Sequence, residues 1–281
     1  MHRTYRPHPD VTVLHDEAEI PGLGFLPVNA FVLHAEQPVV IDTGLSLAHC
    51  NFVEDLAEAI DPADVRWIWL THPDRDHTGG IYDMLEAAPN AKIITTFIGV
   101  GILSTERPLP LDRVYLLNPG QTIEVGDRTL TGFRPPLFDN PATVGFFDSK
   151  TGVAFSSDCF GGPLSSSDNA ASETIAAVSP EEVSAAQLLW ASVDSPWVHK
   201  ADQAKFEAAF QPLRAFDPAW TFSTHLPPIQ GSLDPMMHTL HAAPSMPEFV
   251  GPDQAALEAM LTTFEPTTVT VPDPEPAAQP V

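Results

Sequence analysis

Thr71-His72-Pro73-Asp74-Arg75-Asp76-His77-Thr78-Gly79-Gly80 puts two imidazoles and two carboxylates within six residues, directly after the largely apolar run Val65 to Leu70. A run of that length and composition reads as a buried strand. Polar groups crowded at the end of a buried strand need partners, because each desolvated charge is costly unless it is paired or bound to a cation. A charged surface loop is the plain alternative, and four ligand-type side chains followed by Gly79-Gly80 argue against it. This decapeptide therefore predicts a metal or catalytic site on a loop after a core strand.

Upstream, Val11 to Leu14, Ala30 to His34 and Val39 to Ile41 read as short strands, the last two separated by the turn Ala35-Glu36-Gln37-Pro38. After Asp42-Thr43-Gly44, the apolar residues Phe52, Val53, Leu56, Ala59 and Ile60 recur at helical spacing. Downstream, Gly80 to Ala88 suits a helix. Strands are expected at Lys92 to Thr96, Val114 to Leu117, Thr122 to Val125, Thr129 to Phe133, Thr143 to Phe147 and Val153 to Ser156. Helices are expected over Pro180 to Ala191, which has Glu181 and Glu182 in its first turn, and over Lys200 to Phe210, before a last strand at Trp220 to Ser223. Two strand-rich halves with helices between them suit two sheets packed face to face with helices outside.

Composition limits the function classes. The 281 residues carry 37 Asp and Glu against 13 Lys and Arg, a formal charge of −24, so the long-range field repels nucleic-acid phosphate and anionic lipid. With 43% hydrophobic and 18% charged residues, the acidity reflects scarce basic residues in a globular composition. The two cysteines, Cys50 and Cys159, form no metal or disulfide spacing. No signal-peptide-like or membrane-length apolar run is present, and a cytoplasmic protein is expected. Five prolines fall in Glu265 to Val281; that stretch is expected to be a disordered tail following one domain over 1–264.

The decapeptide resembles the signature of the metallo-β-lactamase superfamily, His-x-[His/Asp/Glu]-x-Asp-His on the loop after a core strand. Ile41-Asp42-Thr43-Gly44 is similar to that superfamily's early strand and turn, and the resemblance covers roughly residues 11 to 231. It implies an α/β αββα sandwich of two mixed β-sheets flanked by helices. Phe155-Ser156-Ser157-Asp158-Cys159-Phe160-Gly161 resembles the segment carrying the family's bridging aspartate, and Ser223-Thr224-His225 matches its last histidine.

One position departs from the pattern. Between Phe133 and Thr143, where the family has a third histidine, this chain has Arg134-Pro135-Pro136-Leu137-Phe138-Asp139-Asn140-Pro141. Alignment with the Leu-His-x-Pro segment of the flavodiiron and oxygen-binding di-iron proteins puts Asp139 in the ligand place. If Asp139 only caps a turn, the first metal position is one ligand short.

The resemblance implies two metal ions, one held by His72, Asp74, Asp139 and Asp158 and the other by Asp76, His77, Asp158 and His225, with Asp76 and His77 also assigned catalytic roles. Two ions sharing Asp158 would lie about 3.5 to 4 Å apart. A donor set so rich in carboxylate favours iron or manganese over zinc; iron is the expected metal, with zinc or manganese as the alternatives. The expected function is a di-iron oxidoreductase or binding protein for O2 or NO, as in the flavodiiron branch. Because only the Pro-rich stretch follows the last helix, electrons are expected from a separate redoxin or reductase, and a homodimer is left open. The competing expectation is a metal-dependent hydrolase of a small ester, lactone or lactam. Pro21 to Pro27 is expected to be an apolar loop over the site. His238 and His241 lack a nearby acid in sequence and read as surface or core residues.

Overall fold

The computed structural model describes residues 3–47 and 50–263. The Pro-rich segment 265–281 lies outside the described residues. Chain contacts divide the protein into Met1–Glu248, which carries both sheets, and Phe249–Val281, whose described part contains one helix, Gln254–Thr263.

The first sheet has seven strands in sequence order: β1 (Arg3–His8), β2 (Val11–Ile20), β3 (Gly24–Leu33), β4 (Val39–Ile41), β5 (Trp67–Trp69), β6 (Lys92–Thr95) and β7 (Val114–Leu116). β1 to β4 pair antiparallel, and β4 to β7 pair parallel. The second sheet contains β8 (Thr122–Glu124), β9 (Thr129–Phe133), β10 (Gly145–Asp148), β11 (Val153–Phe155), β12 (Trp220–Phe222) and β13 (Ile229–Gln230), in the order β13-β12-β11-β10-β9-β8. Here only β11 and β12 are parallel. Both sheets are therefore mixed.

Alternation along the strands explains the layers. Val11, Phe31, Ile41 and Trp69 point inward from the first sheet and meet Phe146, Phe155 and Phe222 of the second. Ring centroids are 4.4 Å apart for Trp69 and Phe146, and 5.4 Å apart for Phe31 and Phe155. On the outer face of the first sheet, Val32, Val40, Ile68 and Ile93 are covered by helices α1 (Phe52–Ala57) and α3 (Ile81–Ala87), through Phe52, Leu56, Ile81 and Met84. Between these two helices lies α2 (Arg75–Thr78), and α4 (Phe97–Leu103) follows β6. The outer face of the second sheet is covered from the group α5 (Ser167–Ala170), α6 (Pro180–Val193), α7 (Gln203–Ala209), α8 (Gln211–Phe216) and α9 (Asp234–His241). Phe206, Phe210, Leu213 and Leu240 pack there with Phe133 and Ala154. The architecture is the αββα sandwich expected from the sequence.

Two local expectations are corrected. Gly24 to Pro27 is part of β3, with Phe25 opposite Glu19 and Pro27 opposite Glu17, so only Pro21 to Leu23 form a turn, between β2 and β3. The prolines and glycines of Pro21 to Pro27 masked the strand pattern. The charged strand β1 was also missed, because Arg3-Thr4-Tyr5-Arg6 has no apolar alternation and lies at a sheet edge.

Candidate metal centre

The polar residues converge where loops leave the C-terminal ends of strands. His72 follows β5, Asp139 follows β9, Asp158 follows β11 and His225 follows β12. Ligand sites in such sheets form beyond carboxyl ends of strands because several loops meet there. Gly79 allows the decapeptide to turn back: a Cβ built on it would lie 2.3 Å from the carbonyl carbon of Leu45 and 2.5 Å from the oxygen of Gly44. Gly161 plays the same part after Asp158, where a Cβ would lie 2.4 Å from that of His225.

Three imidazoles are held by their outer nitrogens. His225 Nδ1 lies 2.7 Å from the carbonyl of Pro27, which can only accept, so Nδ1 carries the hydrogen. His77 Nδ1 donates to Asp42 Oδ2 at 2.8 Å. His72 Nδ1 donates to Ser157 Oγ at 3.0 Å; that hydroxyl donates to Thr71 Oγ1, which donates in turn to Asp42 Oδ2. Asp42, in a left-handed conformation at φ 57°, also accepts from the Thr71 amide. One buried carboxylate thus orients two imidazoles and leaves their Nε2 lone pairs facing inward, as the outer partners of metal-ligating histidines do.

The inner nitrogens face acids. His72 Nε2 is 3.4 Å from Asp158, 3.7 Å from Asp139 and 3.8 Å from Asp74. His77 Nε2 is 3.0 Å from Asp158 and 3.6 Å from Asp76, and His225 Nε2 is 3.3 Å from each of the same two acids. All seven residues anticipated from the sequence are brought together, in two groups that meet at Asp158. Asp139 is positioned through its loop: Val144 donates its amide to the Thr71 carbonyl, and Asn140 Nδ2 donates to Asp74 Oδ1 at 2.8 Å.

A cation fits this arrangement. The His77 Nε2, Asp139 Oδ1 and Asp158 Oδ1 atoms are buried without a hydrogen-bond partner, an expensive state unless something binds them. The electrostatics agree. Burial disfavours charge on His225, yet its contacts with Asp158 and Asp76 prevail and push its pKa up to about 10. His77 is likewise raised against burial by Asp158, Asp76 and Asp42, whereas burial lowers His72. Burial first, then the charge of Asp158, pushes Asp139 up to about 9. Without a cation, protons must reconcile these carboxylates. Donor atoms lying within 4.8 Å of one another are supplied by His72, Asp74 and Asp139, by Asp76, His77 and His225, and by His72, His77 and Asp158.

Sequence reasoning assigned no role to Asp194. This residue ends α6 and joins Asp139 and Asp158 in a further group of donor atoms within the same distance. Its only sequence signal was an acid three residues beyond the expected helix end. Cys159 is buried, and burial raises its thiol to about 12, which suits packing and not reactivity. His241 pairs with Glu207 at an exposed position far from these loops in sequence. No helix among the described residues is long and apolar enough to cross a membrane.

The fold and the loop geometry define a class of protein. The metallo-beta-lactamase superfamily model matches residues 23–225, most of the chain, and the chain belongs to that superfamily. Within it, the similarity runs to flavodiiron proteins. The anaerobic nitric oxide reductase flavorubredoxin of Salmonella typhi is 26% identical over 134 residues, covering 47% of this chain and 28% of that protein. Rubredoxin oxygen:oxidoreductase from the anaerobe Desulfovibrio gigas superposes with a TM-score of 0.72 at 18% identity, covering 86% of this chain and 61% of that one. The flavodiiron protein of Giardia intestinalis gives a TM-score of 0.72 at 16% identity, over 86% and 58% of the two chains. At these identities the two structures speak for the fold. The chain spans 23% to 35% of the length of the first curated relatives it matches.

Proposed function

We propose that this chain is a di-iron oxidoreductase that reduces O2 or NO with electrons from a separate redoxin-type or reductase partner. His72, Asp74, Asp139 and Asp158 would hold one iron, and Asp76, His77, Asp158 and His225 the other. The observation that carries this reading is the donor chemistry: four carboxylates and three imidazoles face one another, and three of the facing atoms, His77 Nε2, Asp139 Oδ1 and Asp158 Oδ1, are buried without a hydrogen-bond partner. Such a set suits iron better than zinc, since carboxylate donors are harder and stabilise the oxidised metal. The relatives support the substrate class, because the Salmonella protein is a nitric oxide reductase and the Desulfovibrio protein an oxygen oxidoreductase by name.

The pair of ions would supply electrons to a diatomic ligand. The protein's own contribution is orientation and charge. Asp42 and Pro27 hold the imidazoles in the tautomer whose Nε2 can coordinate, and Asp158, only 4% exposed, lies between the two groups away from bulk water. Asp76 and His77, assigned catalytic roles, would act by holding the second ion together with His225.

One observation favours a second reading, hydrolysis of a small ester, lactone or lactam. An open cleft of about 710 Å³ lined by Pro73, Asp74, Arg75, Asp76, Ile102 and Glu106 adjoins the centre and exceeds what a diatomic requires. Metal analysis of protein produced with both iron and zinc, followed by anaerobic reduction and exposure to O2 or NO, separates the two. Iron occupancy with consumption of either gas supports the redox reading. Zinc occupancy with ester turnover and no gas-dependent spectral change would sink it.

A further inference from the structure

We infer that Asp194 is an additional carboxylate ligand of the first metal position, which it makes oxygen-rich and suited to a hard cation. The inference rests on the binuclear centre proposed above and extends it to a residue outside the superfamily motif.

Helix α6 is docked on the centre by two contacts. Trp190 packs edge-on against the imidazole of His225 with ring centroids 5.7 Å apart, and Gln187 Nε2 donates to the Phe160 carbonyl at 3.1 Å, on the loop that carries Asp158. One turn after Trp190 the helix ends at Asp194, whose amide donates to the Trp190 carbonyl. The Asp194 carboxylate is therefore delivered by a fixed helix. Its donor oxygen lies within 4.8 Å of those of Asp139 and Asp158, and its one hydrogen-bond donor among the described residues is the Ser195 hydroxyl, at 3.4 Å from Oδ2.

Three features make this placement unfavourable for an ionised carboxylate unless a cation binds beside it. A carboxylate at a helix C-terminus faces the negative end of the helix dipole. Two further carboxylates are its neighbours, and no Lys or Arg ion pair reaches Asp139, Asp158 or Asp194 among the described residues. The His72 imidazole, 1% exposed, is turned with Nε2 toward Asp139 and Asp158, and the buried Asp158 Oδ1 makes no hydrogen bond although His77 Nε2 lies 3.0 Å and His225 Nε2 3.3 Å from it. A cation between these groups removes all of these costs at once. With Asp194 the first position has one nitrogen donor, His72, and the carboxylates of Asp74, Asp139, Asp158 and Asp194. The second position keeps two nitrogen donors, so the two should differ in metal preference.

The test uses Mn2+ as the hard probe and Zn2+ as the borderline one on the metal-free full chain. Bound Mn2+ is counted by loss of the free six-line EPR signal, and Zn2+ by equilibrium dialysis. Wild type is expected to bind Mn2+ at the first position with Zn2+ retained at the second. Asp194→Ala should weaken Mn2+ binding by on the order of 100-fold and leave the Zn2+ affinity within about 2-fold, which also certifies that the variant folds. Asp194→Asn, keeping shape without charge, should behave like the alanine variant. Unchanged Mn2+ affinity in both variants, or a wild type that binds a single ion, would overturn the inference. Two bound ions with an Asp194 effect but no reaction with O2 or NO would sink the proposed function and leave this ligand assignment standing.

Discussion

The two halves of the candidate centre are built from the same kinds of loop and differ in how the protein holds them. In the half of His77 and His225, both imidazoles are fixed by strong acceptors, the Asp42 carboxylate and the Pro27 carbonyl. In the half of His72, a single imidazole is fixed through a hydroxyl relay, and Asp74 is steadied by the amide of Asn140. The second half is nitrogen-rich and rigidly oriented, while the first is carboxylate-rich and assembled partly by a loop. A shared Asp158 ties together two positions of unequal preorganisation, so they should load metal with unequal affinity.

The largest effect should come from the residue the halves share. Asp158→Ala removes the carboxylate that lies 3.4 Å from His72 Nε2, 3.0 Å from His77 Nε2 and 3.3 Å from His225 Nε2. Metal content should fall at both positions together, measured as ions bound per chain. Retention of one full equivalent would break the comparison by showing that one half stands without the bridge. Asp139→Ala comes next and should act on one side. The first position is expected to weaken by about 10- to 100-fold while the second keeps its ion. Unaltered stoichiometry and affinity would strike Asp139 from the ligands.

The fold and the seven candidate positions were legible on two grounds: His72 to His77 follow the plain apolar run Val65 to Leu70, and Asp139, Asp158 and His225 lie in segments that resemble those of the superfamily. What held those residues in place was not legible. Asp42 lies 35 positions from His77, and Ser157 lies 85 from His72; the first hydrogen bond exists only once β4 and β5 pair, and the second only once the two sheets pack. Asp194 was hidden in the same way. It carries no motif, and its place beside Asp139 and Asp158 follows from the docking of α6. The strand status of Gly24 to Pro27 was obscured because tertiary pairing with β2 overrides the local turn chemistry of its glycine and proline.

A smaller effect distinguishes the halves by pH. Burial and the charge of Asp158 push Asp139 up to about 9, and contacts with Asp158 and Asp76 hold His225 up at about 10 against burial, with His77 raised as well. Near pH 7 these groups keep protons in the metal-free protein, and a cation must displace them. Affinity at both positions should therefore rise with pH, and each proton displaced adds about one unit to the slope of log affinity against pH. The second position has two raised imidazoles to deprotonate, so it should release more protons than the first. Calorimetry in buffers of different ionisation enthalpy counts them. Equal release at both positions would mean that the carboxylate and imidazole halves do not differ in this respect.

The finest test reaches only the orientation of one ligand. Asn140 Nδ2 donates to Asp74 Oδ1 at 2.8 Å, while the same side chain's oxygen accepts from the Ala142 amide and closes the turn that carries Asp139. Asn140→Ala removes the steadying donor without removing a candidate ligand. Loss of such an outer partner should weaken the first position by about 10-fold and leave the second unchanged. Asn140→Asp separates the two jobs of this side chain, since its oxygen still caps the turn but it can no longer donate to Asp74 and adds repulsion beside it. If the alanine variant loses affinity because the Asp139 loop slackens, Asn140→Asp should restore binding; if it loses affinity because Asp74 swings free, Asn140→Asp should bind more weakly still. The hydrogen-bond geometry favours the second outcome, because Thr143 Oγ1 also closes the turn, donating to the Asn140 carbonyl at 2.8 Å, whereas no other side chain among the described residues donates to Asp74 Oδ1.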